Sequence, residues 1–198
     1  VDALEARIAK LEALLVGVTR SNNTVTFSGV NVQVVSGSGA TDGAVNGLGN
    51  LIVGYNELRA FDDDRTGSHN IVVGKAHNFS SYGGMVVGFW STISGKYATV
   101  SGGDTNEAIG DYSHVSGGSS NNSIGKWSNV SGGYINEASG SYSSICGGSM
   151  NVASGSTSSV SGGNWHTASG ASSSISGGSN RIASGGSDWV AGGLFQDQ

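Results

Sequence analysis

The 198 residues include 35 glycines and no proline; 36% are apolar, 12% are charged and the formal net charge is −5. Simple disorder fits poorly, because disordered chains combine high net charge and abundant proline with few aromatics, whereas Trp, Tyr and Phe run throughout this one. Nine scattered Lys and Arg make no basic patch for nucleic acid, and no run of about 18 apolar residues offers a membrane span.

The chain opens without the basic region and apolar block of a signal peptide. Val1, Leu4, Ile8, Leu11, Leu15 and Val18 instead recur at alternating steps of three and four. That is a heptad seam, with Val1, Ile8 and Leu15 at a and Leu4, Leu11 and Val18 at d. Arg7 falls at g and Glu12 at the following e, the pair that bridges adjacent parallel helices. The stretch Arg7–Glu12 also resembles the R-h-x-x-h-E signature of short trimeric coiled coils, h being apolar. Residues 1–18 are therefore expected to be the end of a trimeric coiled-coil stalk, continuing a longer fibre. The competing reading is a lone amphipathic helix packed on its own domain. Residues 19–46 follow as a β-rich neck, in which 24–35, "TVTFSGVNVQVV", alternate apolar and polar with an expected bulge at Gly29.

From residue 47 to 193 the chain keeps a count. Glycine pairs stand at 102–103, 117–118, 132–133, 147–148, 162–163, 177–178 and 192–193, always fifteen apart. Val100, Val115, Val130, Ile145, Val160, Ile175 and Val190 share the beat, as do Ala108, Ser123, Ala138, Ala153, Ala168 and Ala183. Asn106, Asn121, Asn136 and Asn151 form a further column, which lapses to His166 and Arg181. Upstream, Gly88, Gly74 and Gly54 continue it with steps of fifteen, fourteen and twenty, the long step leaving room for an insertion around "LRAFDDDRTG". Fifteen residues is too short for a helix pair, so each unit is predicted to be two short strands joined by glycine-permitted turns. The fold class expected is mainly β, a parallel β-solenoid with one repeat per coil. About ten coils at a strand spacing of about 4.8 Å would stand roughly 45–50 Å tall. Residues 194–198, with Leu194 and Phe195, are expected to cap its open end.

The segments "NIVVG", "MVVGFWSTISGKYATVSGG" and the later "SSVSGGxxNxASG" units resemble the SVAIGxxSxAxG repeats of YadA-like trimeric autotransporter adhesin heads. The resemblance implies a left-handed β-roll, a homotrimer, and binding to extracellular matrix or host surfaces. This chain departs from it in two ways. The motif Ile becomes Gly in the later units, and the coiled coil precedes the roll, the order of a fibre with a free C-terminal tip. Three separate rolls and three chains wound around one axis both fit the period.

No catalytic constellation is evident: the four histidines share no metal-ligand spacing, GxSxG and P-loop motifs are absent, and no cofactor is expected. Cys146 is expected to be a buried thiol in place of Ser. Three features suit binding instead. Asp62, Asp63 and Asp64 lie beside Arg65, a solvated acidic turn or a seat for a cation or basic partner. Trp90 and Trp165 share one column, with Ile135 and Met150 between them, beside Tyr134; Tyr97, Tyr112, Trp127 and Tyr142 share another. Such ladders either pack a trimer seam or offer platforms to sugar rings and protein side chains. Trp189 and Phe195 stand near the tip, as caps or receptor contacts. The expected function is a non-enzymatic, extracellular or cell-surface fibre tip that recognises a cell-surface glycan or protein. The alternatives are a structural shaft segment, a phage tail-fibre tip with a glycan-binding or ice-binding solenoid, and a tailspike-like glycan hydrolase, for which the repeats supply almost no paired acids.

Overall fold

The structure, a computed structural model, describes residues 2–191; the chain divides into two compact units, Val1–Val34 and Val35–Gln198. In the first unit, α1 (Asp2–Leu14) has Asp2 and Glu5 in its first turn, where acidic side chains suit the helix dipole. The helix is shorter than the heptad pattern predicts. Gly17, at φ +87°, closes it in the left-handed conformation that glycine adopts at least cost. Leu15 thus lies just past the helix, and Val18 begins a strand instead of filling a d position. Val1 lies outside the described residues.

β1 (Val18–Ser21) and β2 (Thr24–Phe27) form an antiparallel hairpin around Asn22–Asn23, with Asn22 at φ +50°. This corrects the extended segment expected over 24–35. Alternation begins six residues earlier, the Asn pair makes the turn, and residues 28–35 form no strand. Gly29 therefore bulges no ladder; it follows the hairpin with φ +69°.

The second unit is a parallel β-solenoid. One sheet has ten strands, starting with β3 (Leu51–Val53), β4 (Ile71–Lys75) and β6 (Met85–Phe89) and ending with Trp189–Val190. The other has eight, starting with β5 (Asn78–Phe79) and ending with Ile182–Ala183. Eight coils thus carry both strands. Register follows the count: Val53 pairs with Val73 across the twenty-residue step and Gly74 with Gly88 across fourteen. From there Val86, Val100, Val115 and Val130 pair in turn, as do Ala138, Ala153 and Ala168 in the other sheet.

The insertion in the twenty-residue step closes the first edge of the eight-stranded sheet. The Phe79 N–H donates to the Asp64 carbonyl at 2.8 Å, and Gly67 N–H donates to the Phe79 carbonyl at 2.8 Å. A sheet edge left bare would invite another strand; here a loop covers it.

The interior is thin but has more columns than the valine and alanine predicted. Phe79 and Ile93 precede Ala108 on the narrow side, and Ala98, Ser113, Ser128, Ser143, Ser158 and Ser173 fill a third buried column. The Asn column is the fourth, and it bonds as a ladder. Asn136 donates its backbone N–H to Asn121 Oδ1 at 3.0 Å, while its Nδ2 reaches the carbonyls of Gly132 and Gly148, both at 3.0 Å. Asn121 and Asn151 repeat this, and Asn106 repeats the two Nδ2 contacts, so each buried amide satisfies backbone groups that the two-residue strands leave over. Cys146, by contrast, is exposed. It follows the buried Ile145, so the alternation of the strand turns it outward in the column of Ser131 and Ser161, which corrects the buried thiol expected.

The two glycines of a described pair such as Gly117–Gly118 have different jobs. A Cβ on Gly118 would run into the carbonyl oxygen of Gly133 in the next coil, and its φ is +83°. A Cβ on Gly117 would meet nothing within 4 Å. Gly118→Ala is expected to cost about 3 kcal/mol or more, and Gly117→Ala to stay within about 0.5 kcal/mol. Denaturant unfolding of the two variants measures the difference; equal costs would contradict the role given to the close backbone approach.

Candidate functional site

Each coil turns twice, and from Trp90 onward each described turn holds a non-glycine residue in the left-handed region. One edge, following the valine strands, carries Trp90, Thr105, Ser120, Ile135, Met150, Trp165 and Asn180 there, with φ between +52° and +61°. The opposite edge carries Tyr97, Tyr112, Trp127, Tyr142, Thr157, Ser172 and Ser187, with φ between +56° and +63°. Both aromatic columns of the sequence are therefore turn-tip columns. Backbone bonds between coils hold the tips, as when Trp165 N–H donates to the Ser149 carbonyl and Trp127 N–H to the Asp111 carbonyl, both at 3.0 Å.

On the second edge the rings stack. Tyr82 meets Tyr97 edge-on at 5.4 Å, Tyr97 lies over Tyr112 at 5.2 Å, and Tyr112 lies over Trp127 at 3.9 Å, only 4° from parallel. The stack consumes ring faces that would otherwise be open, so it stiffens the edge as much as it displays it.

On the first edge the column divides. Trp90 is half-buried, with the Arg59 guanidinium 5.5 Å from its ring centre. Trp165 is 59% exposed, and Met150 and Ile135 continue its column on the two rungs before it. Beside them, on the outward face of the eight-stranded sheet, stand Asn122, Glu137, Val152 and Thr167 in register. Together these residues and Ser120 and Asn136 line a groove of about 370 Å3. Tyr134 is exposed next to Ile135 but does not line it.

The acidic triplet does not converge. Asp62 Oδ2 accepts from Arg59 Nη1 at 3.4 Å, and Asp63 Oδ2 accepts from Arg65 Nε at 3.0 Å. Asp64 Oδ1 accepts from the Thr66 hydroxyl at 2.7 Å and the Thr66 N–H at 3.2 Å. Among the described residues no group of three His, Cys, Asp or Glu is placed to hold a metal ion. Arg59, which the sequence reading passed over, organises this loop: it is buried, donates from Nε to the Ala76 carbonyl at 2.9 Å and covers Trp90. The only hint in the sequence is a basic residue inside an acidic insertion. Trp189 is exposed and donates from Nε1 to Ser176 Oγ at 2.9 Å; Phe195 and Leu194 lie outside the described residues. Leu4, Ile8, Leu11 and Leu15 are all exposed, as are Arg7 and Glu12.

Two histidines belong to the Asn ladder. His77 Nδ1 accepts the Ser91 N–H at 3.2 Å and its Nε2 meets the Val73 carbonyl at 3.1 Å; Ser91 Oγ then accepts the Asn106 N–H at 3.3 Å. At the other end His166 donates its own N–H to Asn151 Oδ1 at 3.0 Å, and its Nδ1 accepts the Arg181 N–H at 3.1 Å. The column predicted to lapse at His166 continues there, because a neutral imidazole nitrogen replaces the amide oxygen. Burial pushes both imidazoles below the ordinary histidine range, against the carbonyls of Val73 and Gly178 and with help from the nearby charges of Arg59 and Arg181.

No protein-family model and no curated protein matches this chain. Among the described residues no helix is long and apolar enough to cross a membrane.

With both folded pKa values below the unfolded value of about 6.5, the neutral ladder contributes fully above that pH. As pH falls through and below it, the unfolded chain takes up protons first and stability drops. Unfolding midpoints are therefore expected to fall between pH 7.5 and pH 5.5, and His166→Asn, which restores the amide of the preceding rungs, to reduce that slope. Parallel midpoints for the variant and wild type would exclude the role of His166.

Proposed function

We propose that the chain is the head of a homotrimeric, non-enzymatic fibre that recognises a glycan or protein on a cell surface, with the three copies gathered by α1. The observation that carries this reading is the helix itself. None of its residues is buried, and the seam residues Leu4 and Leu11 are 61% and 59% exposed. Thirteen residues of isolated helix are marginal in water, so the apolar seam needs a partner, and the heptad spacing is complementary to an identical helix. Arg7 and Glu12, both free of ion pairs within the described chain, are placed to bridge neighbouring copies. Three copies gathered by the helix multiply any turn-tip contact by three. The left-handed roll of YadA-like heads is the form to which the repeat resemblance points, and display outside the cell is the setting that such a head requires.

The reading predicts a solution mass of three chains, with Ile8→Asp lowering it, as measured by light scattering. It also predicts that fluorescent trimer decorates cells and that enzymatic removal of surface glycans or proteins abolishes the decoration. A single-chain mass for the unaltered protein would overturn the trimer. Trimers that bind no cell surface would leave the chain a shaft segment and overturn the recognition role.

A further inference from the structure

We propose that the groove along Ile135, Met150 and Trp165 is a saccharide-binding subsite, with Trp165 as the stacking platform and Glu137, Asn122 and Thr167 as the hydrogen-bonding wall. The proposal rests on the reading of the chain as a recognition head and specifies where that head binds and what class of ligand it takes.

The groove is bounded along the fibre. The turn-tip column is small and polar before it, at Thr105 and Ser120, and polar after it, at Asn180. Only three consecutive rungs are large and apolar. Ile135 sits at a turn tip with φ +52°, the conformation that every rung of this column shares, so the turn presents its apolar side chain beside Met150 and Trp165. Trp165 is held by its backbone while most of its side chain stays in solvent.

The adjoining wall has the complementary character. Neither the Glu137 carboxylate, the Asn122 amide nor the Thr167 hydroxyl makes a hydrogen bond within the described chain, whereas the Asn136 amide behind them is fully used. One apolar floor and one wall of open donors and acceptors match a ligand with a C–H face and a hydroxyl rim, which is the chemistry of a pyranose ring. The volume is at the small end of ligand clefts, so it suits a short saccharide. A second copy of the chain is a poorer occupant. Packing it here would strip water from Glu137 and Asn122, at the cost of unpaired polar groups.

The test uses the whole 198-residue chain on an immobilised array of mono-, di- and trisaccharides, followed by titration of the saccharides that bind. Trp165→Ala and Glu137→Gln are expected to weaken binding about tenfold or more, with solution mass and unfolding midpoint unchanged. Tyr142→Ala, on the opposite edge, is expected to leave affinity as it is. Loss of trimer mass in Trp165→Ala would reassign the groove to contact between copies, and unchanged affinity in that variant would place the ligand elsewhere; either result overturns the proposal. If the unaltered head decorates cells but binds no saccharide, the subsite fails while the recognition role stands. If it does neither, both fail.

Discussion

The structure depends on handing unmet backbone groups from one coil to the next. A coil of fifteen residues has only two short strands; backbone bonds to the neighbouring coils continue around its turns, but one corner leaves its peptide groups to side chains. The column running from His77 through Ser91 and four asparagines to His166 supplies acceptors at one corner, and Asn Nδ2 groups supply donors to the glycine carbonyls beside it. An apolar core one valine and one alanine deep could not offset such losses alone. Hydrogen bonding therefore specifies this fold at least as much as apolar burial does.

The same economy explains the glycines. Coils at strand spacing bring backbone against backbone, and two glycine columns sit where a Cβ would strike the carbonyl of the following coil. The first glycines of the pairs from 102 to 177 face open space; Gly102 and Gly117 are under no backbone demand, whereas Gly177 holds φ +143°. Composition alone suggests a floppy linker; the spacing of the glycines shows a tight stack.

Periodicity made the solenoid legible, because a register error of one residue would turn every valine outward. The fourteen- and twenty-residue steps were legible for the same reason: Gly54, Gly74 and Gly88 keep their column across them. Chemical equivalence between unlike residues was not legible. Ser91 and the histidines continue the Asn column by accepting the same bond, and nothing in their names announces it. The hairpin at 18–27 was obscured by a heptad pattern that ran through Val18, since the same apolar residue suits a d position and a strand. The candidate groove was half visible. The column of Ile135, Met150 and Trp165 could be counted off, but its wall comes from the neighbouring sheet face, whose outward residues share no common type.

The left-handed turn tips have a consequence for how such a chain can change over time. Across the rungs they hold Trp, Tyr, Thr, Ser, Ile, Met and Asn with nearly the same backbone angles. The repeats thus act as an internal experiment in tolerance: the glycine and ladder columns stay almost fixed while two sites per coil drift freely. Duplication of a fifteen-residue unit adds two more such sites without disturbing register. A lineage carrying this architecture can alter its surface chemistry one rung at a time, with the scaffold indifferent to the outcome.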